Sequence, residues 1–445
     1  MMNYFNLLTI KVNQVPNKPF LVIDGQSYTY HEVYESCQAI EQFLEYELQG
    51  QTVFIQSSDI YQQLLWFFVI SKQGGVPIII HDGISNDLVR QLSDENKVSF
   101  LVSDSLSQSI TNMNLVKLGD YQFQEGVNKK CIGVLSSGTT GIPKVMYRSF
   151  ESWFDFFPTQ NKIFKIGESD TLFMQGSLSF TANLNVLLAA LFARATIIIE
   201  AHLSPKRWQQ LLEIFNVTVI YLVPSKLELL LRHQVKANQK VISIFTGSQL
   251  LVETVLTQLR QRFPQALIQL YYGASEVSYI TYLRLEELID HPLRVGKPFS
   301  EVSLSFDEDD IYIETPYTIE GISDPYHVGD KGYLDSEGYL VLTGRSDSVI
   351  NVAGVKVSLL KIENELRKIV GIDDAVVCSN SHPVKGEEII AYVVASQEIK
   401  VDAIMSYLAQ TLSPFERPNK IKIISRIPRN NMGKVERDQL IGFDY

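Results

Sequence analysis

The strongest constraint on the fold is a repeated alternation of short, almost uninterrupted apolar runs with helical patterns. Thr52–Ser57 and Val76–His81 are two such runs, with the apolar helix pattern Tyr61–Gln73 between them. Val98–Val102 follows another helical stretch. Later, Val217–Val223 leads into Ser225–Arg232, Val241–Phe245 leads into Leu251–Phe263, and Leu267–Tyr272 is again a strand pattern. A strand that is apolar at nearly every position is buried on both faces, as when helices cover both sides of a largely parallel sheet. The alternation therefore predicts an α/β architecture with mixed, largely parallel sheets. The most apolar run, Leu184–Ile199, is interrupted by Arg194 and reads as a buried helix followed by a strand, not as a membrane span.

The pattern changes after Phe306. Ile311–Glu314 and Tyr339–Thr343 read as short antiparallel strands, punctuated by Gly321, Gly329, Gly332 and Gly338. From Ser348 a compact unit follows: strand Val349–Val352, helix Leu359–Val370, strands Asp374–Cys378 and Ile389–Ala395, and helix Val401–Leu412. We therefore expect a large N-terminal domain, 1–346, carrying a small antiparallel barrel-like part. A small mobile α+β domain, 347–445, follows a boundary near Asp347.

A formal net charge of −11, spread without a basic tail, argues against a nucleic-acid partner. Cys37, Cys131 and Cys378 are odd in number and far apart, so a disulfide framework or zinc site is not expected. Met1–Pro16 lacks a basic region, an apolar stretch and a cleavage site, so no signal peptide is read there. A reducing, cytoplasmic location is the expectation, with no transmembrane segment.

Four segments carry chemistry. Ser136-Ser137-Gly138-Thr139-Thr140-Gly141-Ile142-Pro143-Lys144 directly follows the apolar strand Ile132–Leu135. Its glycines let backbone N–H groups turn toward an anion, and four hydroxyls and a lysine add donors and charge suited to a polyphosphate. The Gly-Lys-Ser/Thr ending of the usual P-loop is absent. At another strand end, Tyr271-Tyr272-Gly273-Ala274-Ser275-Glu276 offers a flat ring, a close-approach glycine, a hydroxyl and a hard oxygen for Mg²⁺. Gly329-Asp330 is followed by Gly344-Arg345-Ser346-Asp347; Asp330 can accept from sugar hydroxyls, or can pair with Arg345 across a hairpin. Near the C-terminus, Pro428–Arg437 is a polar loop with Lys434 at its apex. Taken singly, the last three have plain structural readings: a solvated turn, an ion pair and a surface lysine.

Taken in order, these segments resemble the acyl-adenylate-forming superfamily of acyl-CoA synthetases, nonribosomal peptide adenylation domains and beetle luciferases. The likeness is greatest to small bacterial AMP-forming acyl-CoA synthetases. It runs from Thr29-Tyr30 to Lys434: the family's phosphate loop matches Ser136–Lys144, and its Tyr-Gly-x-Thr-Glu motif matches Tyr272–Glu276 with Ser for Thr. The Gly-Arg-x-Asp hinge motif matches Gly344–Asp347, and the lysine loop matches Pro428–Lys434.

The resemblance implies an ATP-dependent enzyme that converts a carboxylic acid to acyl-AMP with release of pyrophosphate, then forms a thioester with coenzyme A. A stand-alone enzyme loading an acyl carrier protein is the alternative. By the same resemblance, Ser136, Ser137, Gly138, Thr139, Thr140, Gly141 and Lys144 would hold the β- and γ-phosphates. Tyr272 and Gly273 would lie against adenine, with Gly247 and Ser248 on its other face. Ser275 would contact the α-phosphate, and Glu276 with Thr140 would hold Mg²⁺. Asp330 and Arg345 would bind the ribose, and Lys434 would bridge carboxylate and α-phosphate. Asp347 would be the hinge of the domain swing between half-reactions, and Gly354 would line the tunnel for the thiol. Joining a carboxylate to a phosphate brings two anions together, so cations must offset charge that builds in the transition state.

Three departures stand out: Asn351 where many members have Lys, Val328 where Thr usually precedes Gly-Asp, and a short stretch between Glu276 and Asp330. The resemblance places the acid pocket between Ser177–Asn183 and the Gly247 region, with Phe180 at an aromatic gate position. Thr181 stands where amino-acid-activating relatives carry an Asp that pairs with the substrate ammonium. An uncharged acyl group, fatty or aryl, is therefore the expected substrate, although Met174, Phe180 and Tyr279 read equally well as core.

Overall fold

The computed structural model describes residues 2–104, 114–121, 130–135, 143–232, 236–247, 253–288, 293–345, 349–352, 355–382, 386–395, 399–429 and 435–441. The chain gathers into two units, Met1–Leu285 with Thr315–Asp324, and Glu286–Glu314 with Pro325–Tyr445. The expected boundary at 346–347 falls outside the described residues.

The first unit is α/β, as its apolar alternation predicts. One sheet has the order Asn114–Lys117, Phe100–Ser103, Thr52–Gln56, Val76–Ile80, Lys130–Leu135, Val145–Ser149. Its four central strands are parallel and its two edges antiparallel. Every residue of Thr52–Gln56 and Val76–Ile80 is buried, which is why both runs lack polar alternation. The crossover helix Ile60–Lys72 starts where the Asp59 side chain accepts from the Tyr61 and Gln62 N–H groups.

Eight further strands of this unit lie side by side. In order they are Gln26–Thr29, Pro19–Ile23, Thr196–Glu200, Thr171–Gln175, Val219–Tyr221, Ser243–Thr246, Leu267–Ala274 and Ser278–Arg284. All neighbours are parallel except the first and last pairs. The run Leu184–Ile199 resolves into helix Thr181–Ala193 and strand Thr196–Glu200. Arg194, the interruption seen in the sequence, is the left-handed C-cap between them. Among the described residues no helix is long and apolar enough to cross a membrane.

The second unit opens with five antiparallel strands, Arg294–Pro298, Ser303–Asp307, Asp310–Glu314, Tyr326–Leu334 and Leu340–Arg345. The hairpin Val349–Val352/Val355–Ser358 follows. A sheet of Ile372–His382, Gly386–Ala395 and Lys420–Ile423 then packs with helices Leu359–Arg367 and Val401–Thr411. Ile350, Val357, Ile362, Leu366, Val377 and Val393 are part of the shared core of this module. Helix Leu359–Arg367 is pinned from inside by Glu363, whose Oε1 accepts from the Val377 N–H at 3.0 Å.

Candidate active site

The segment expected to cradle phosphate is closed at its base. Strands Lys130–Leu135 and Val145–Ser149 pair antiparallel, with Leu135 opposite Val145, so the two ends of 136–144 meet. Ser136, Ser137, Gly138, Thr139, Thr140 and Gly141 lie outside the described residues. Asn96, the last residue of helix Asn86–Asn96, grips both sides of Lys144. Its Nδ2 donates to the Pro143 carbonyl at 3.3 Å, and its Oδ1 accepts from the Val145 N–H at 2.7 Å. An amide engaged at both ends fixes the backbone from which Lys144 projects.

Tyr272 and Gly273 occupy the end of strand Leu267–Ala274, and Ser275 and Glu276 form the turn into Ser278–Arg284. The ladder slips between Tyr272 and Gly273, and a Cβ on Gly273 would lie 2.3 Å from the Ser278 carbonyl oxygen. Only glycine lets the hairpin close this tightly. Gly247 follows strand Ser243–Thr246, and its Cβ would sit 2.4 Å from Cζ of Tyr271, so the Tyr271 ring lies flush against it. Ser248 lies outside the described residues.

Arg148 ties the two segments together. It projects from strand Val145–Ser149 and is fully buried. Nη2 donates to the Ser275 carbonyl at 2.6 Å and Nη1 to the Tyr317 carbonyl at 2.9 Å, while the guanidinium lies 5.3 Å from the Trp153 ring centroid. Burial pushes its pKa down to about 10, against the opposing pull of Tyr4 and Glu276. Next along the turn, the Glu276 carbonyl accepts from the Ile319 N–H at 2.8 Å. The strand that leaves the phosphate segment and the turn that carries Ser275 and Glu276 therefore share one buried clamp.

The segment expected to line the acid pocket, Ser177–Asn183, is held by its own side chains. Ser179 N–H donates to Ser177 Oγ at 3.1 Å, and Asn183 Nδ2 donates to the Ser177 carbonyl at 2.9 Å. Phe180 is the N-cap of helix Thr181–Ala193, and its ring lies 6.4 Å from that of His81. Thr181 is the first residue of that helix, half-buried. Met174 is buried core. Tyr279 is also buried, but its hydroxyl donates to Asn185 Oδ1 at 3.2 Å and accepts from Gln160 Nε2 at 3.3 Å.

In the second unit, Asp330 on Tyr326–Leu334 faces Arg345 on Leu340–Arg345 directly across the ladder, the juxtaposition their spacing suggested. Asp347, Gly354 and Lys434 lie outside the described residues, but the ends of the lysine loop are fixed. Arg429 and Val435 form an antiparallel bridge, and the Glu436 N–H donates to the Pro428 carbonyl at 3.0 Å. Arg429 in turn holds Asp374 at 2.6 Å.

A family model described as "AMP-binding enzyme" matches residues 8–312, and its C-terminal domain model matches 361–434. The chain belongs to the AMP-binding enzyme family. Membership agrees with the resemblance to the acyl-adenylate-forming superfamily read from the motifs. This AMP-binding enzyme is 26% identical over 443 residues to a protein of Staphylococcus epidermidis named "Putative long chain fatty acid-CoA ligase VraA", covering 96% of each chain. It is 21% identical to a 2-succinylbenzoate–CoA ligase of Listeria monocytogenes, covering 98% of each. Its fold matches an o-succinylbenzoate coenzyme A synthetase of Bacillus subtilis, solved with ATP and magnesium ion, at a TM-score of 0.85 and 19% identity. That match covers 98% of this chain and 99% of the other.

Two residues of this AMP-binding enzyme were not singled out from the sequence. Arg148 stands in a strand whose neighbours alternate in burial, and both of its carbonyl partners are more than a hundred residues away. Lys226 stands near the start of helix Pro224–Leu231, where a lysine normally reaches solvent; here burial pushes its pKa down to about 8.

Proposed function

We propose that this enzyme uses ATP and Mg²⁺ to activate a carboxylic acid of the fatty or aryl type as acyl-AMP, and then transfers the acyl group to coenzyme A. The observation that carries the proposal is the Arg148 clamp, which joins the base of the phosphate segment to the Ser275–Glu276 turn in a chain of this family. In this reading Lys144 and the 136–142 segment hold the β- and γ-phosphates. Tyr272 and the Gly247–Ser248 backbone flank adenine. Ser275 meets the α-phosphate. Glu276 and Thr140 supply hard oxygen ligands of the kind Mg²⁺ takes, and the ion would offset charge on the phosphates.

The remaining roles belong to the same proposal. Asp330 and Arg345, adjacent across their ladder, bind the ribose hydroxyls, and Lys434 offsets charge between the carboxylate and the α-phosphate. The division into domains 1–346 and 347–445, with Asp347 as hinge and Gly354 lining the thiol path, follows from the motif match. Thr181 leaves no counter-charge for an α-ammonium group, so α-amino acids are excluded as good substrates.

The test is acid-dependent thioester formation with free coenzyme A and no carrier protein present. Accumulation of acyl-CoA supports the proposal. Turnover that appears only when a phosphopantetheinylated carrier is added would move the enzyme to the carrier-loading class.

A further inference from the structure

We propose that the acid this enzyme activates carries a second carboxylate, and that Lys226 and Asn183 receive it beside Gly176. The inference rests on the acid-activating reading above and narrows its substrate class.

Lys226 reaches from helix Pro224–Leu231 to the end of strand Thr171–Gln175, where its Nζ donates to the Gln175 carbonyl at 3.1 Å. The next residue, Gly176, precedes the segment expected to line the acid pocket and has φ +112°. A Cβ built on Gly176 would lie 3.1 Å from Lys226 Nζ, 3.3 Å from Asn183 Nδ2 and 4.0 Å from Phe180 Cε2. Two nitrogen donors therefore pack together against the Cβ-less side of one glycine, next to the aromatic ring at the gate position. Asn183 is itself buried and held by the Ser177 carbonyl.

Among the described residues no carboxylate lies within ion-pair distance of Lys226, and the Gln175 carbonyl is its one acceptor. Its depressed pKa has burial as its cause, with no neighbouring charge contributing. A buried ammonium without a counter-ion is costly to keep. A carboxylate arriving with the substrate would supply the missing charge and engage N–H groups that the protein leaves open. The same cation repels a substrate ammonium, so it acts in the same sense as the absence of an Asp at position 181.

The experiment compares pyrophosphate exchange for matched pairs, each a dicarboxylic acid and its monomethyl ester, in aliphatic and aryl series of several lengths. The wild type should prefer the diacid in at least one pair by about 30-fold or more in kcat/KM, the range for truncating one partner of a buried charge pair. In Lys226→Met that ratio should fall to within about threefold of unity, chiefly through KM for the diacid. A merely structural lysine would lower exchange with both members of a pair equally and leave the ratio unchanged, and that result overturns the proposal. Wild-type exchange confined to monoesters and simple monoacids overturns it as well, even if the variant fails to fold, while leaving the acid-activating reading intact. Absence of exchange with any acid would overturn both.

Discussion

Replacing Arg148 with methionine separates a positioning role from a structural one. Methionine keeps an unbranched apolar stem beside Trp153 but removes the donors to Ser275 and Tyr317. Hydrogen bonds from a charged donor contribute about 1.5–3 kcal/mol each, so losing two costs about 3–6 kcal/mol. Against this, the fall in pKa from 12.5 to about 10 corresponds to about 3 kcal/mol spent on burying the charge, which methionine does not require. The net loss of stability should therefore be no more than about 3 kcal/mol, and the variant should fold. Its active site should suffer more. With its carbonyl released, Ser275 is no longer held, and a displacement of about 1 Å at a reacting centre can cost about 10²-fold in rate. We expect pyrophosphate exchange to drop by about that factor and KM for ATP to rise, with KM for the acid little changed. Urea denaturation measures the stability term, and exchange kinetics with ATP and acid varied separately measure the other. A variant destabilised by 3 kcal/mol or less that keeps exchange within about threefold of wild type would refute the positioning role.

Lys226→Met should stabilise the protein at neutral pH. The folded pKa of about 8 lies below the usual lysine value of 10.5, so the charged lysine destabilises the fold by about 3 kcal/mol below pH 8. That penalty fades as pH rises from 8 to 10.5, so the gain in melting temperature should be largest near pH 7 and vanish above pH 10.5. Gly247→Ala places a methyl 2.4 Å from Cζ of Tyr271 and should cost about 1–3 kcal/mol by overpacking while raising KM for ATP, checked by a thermal melt and exchange kinetics. Lys434→Ala should lower acyl-adenylate formation by about 10²-fold or more, yet spare thiol transfer from a supplied acyl-adenylate, measured as two separate half-reactions. Gly354→Trp should do the reverse, keeping pyrophosphate exchange and losing acyl-CoA formation.

Much of the architecture is legible in the chain because its central strands are buried on both faces. Val-Phe-Ile at 53–55 and Ile-Ile-Ile at 78–80 have no polar alternation to confuse with an exposed strand. The Arg194 interruption also marks a real helix end. Helix Tyr4–Gln14 is not legible in the same way. Asn and Gln are spread through it, and even Lys11 is buried, its ammonium 5.0 Å from the Phe192 ring centroid. The hairpin Pro19–Ile23/Gln26–Thr29 is hidden too, since the burial of its first strand comes from pairing with Thr196–Glu200, far along the chain.

The candidate site divides along the same line. Motifs that work through local backbone, such as the close turn at Gly273 and the cross-ladder pair of Asp330 and Arg345, can be read from spacing. Arg148 and Lys226 act through carbonyl groups distant in sequence, so their neighbours along the chain carry no sign of their burial. The expectation of an uncharged acyl chain rests on Thr181 alone, whereas Lys226 is brought beside Gly176 from another helix only by the fold.

If this chain joins a carboxylic acid to AMP, labelled pyrophosphate must exchange into ATP when the acid is present. The assay reads acyl-adenylate formation before any thiol is needed. Exchange should require both Mg²⁺ and a carboxylic acid lacking an α-ammonium group, and should fall by about 10²-fold in Lys434→Ala. Exchange supported only by α-amino acids, or none with any acid across aliphatic and aryl series, would contradict the proposed activity.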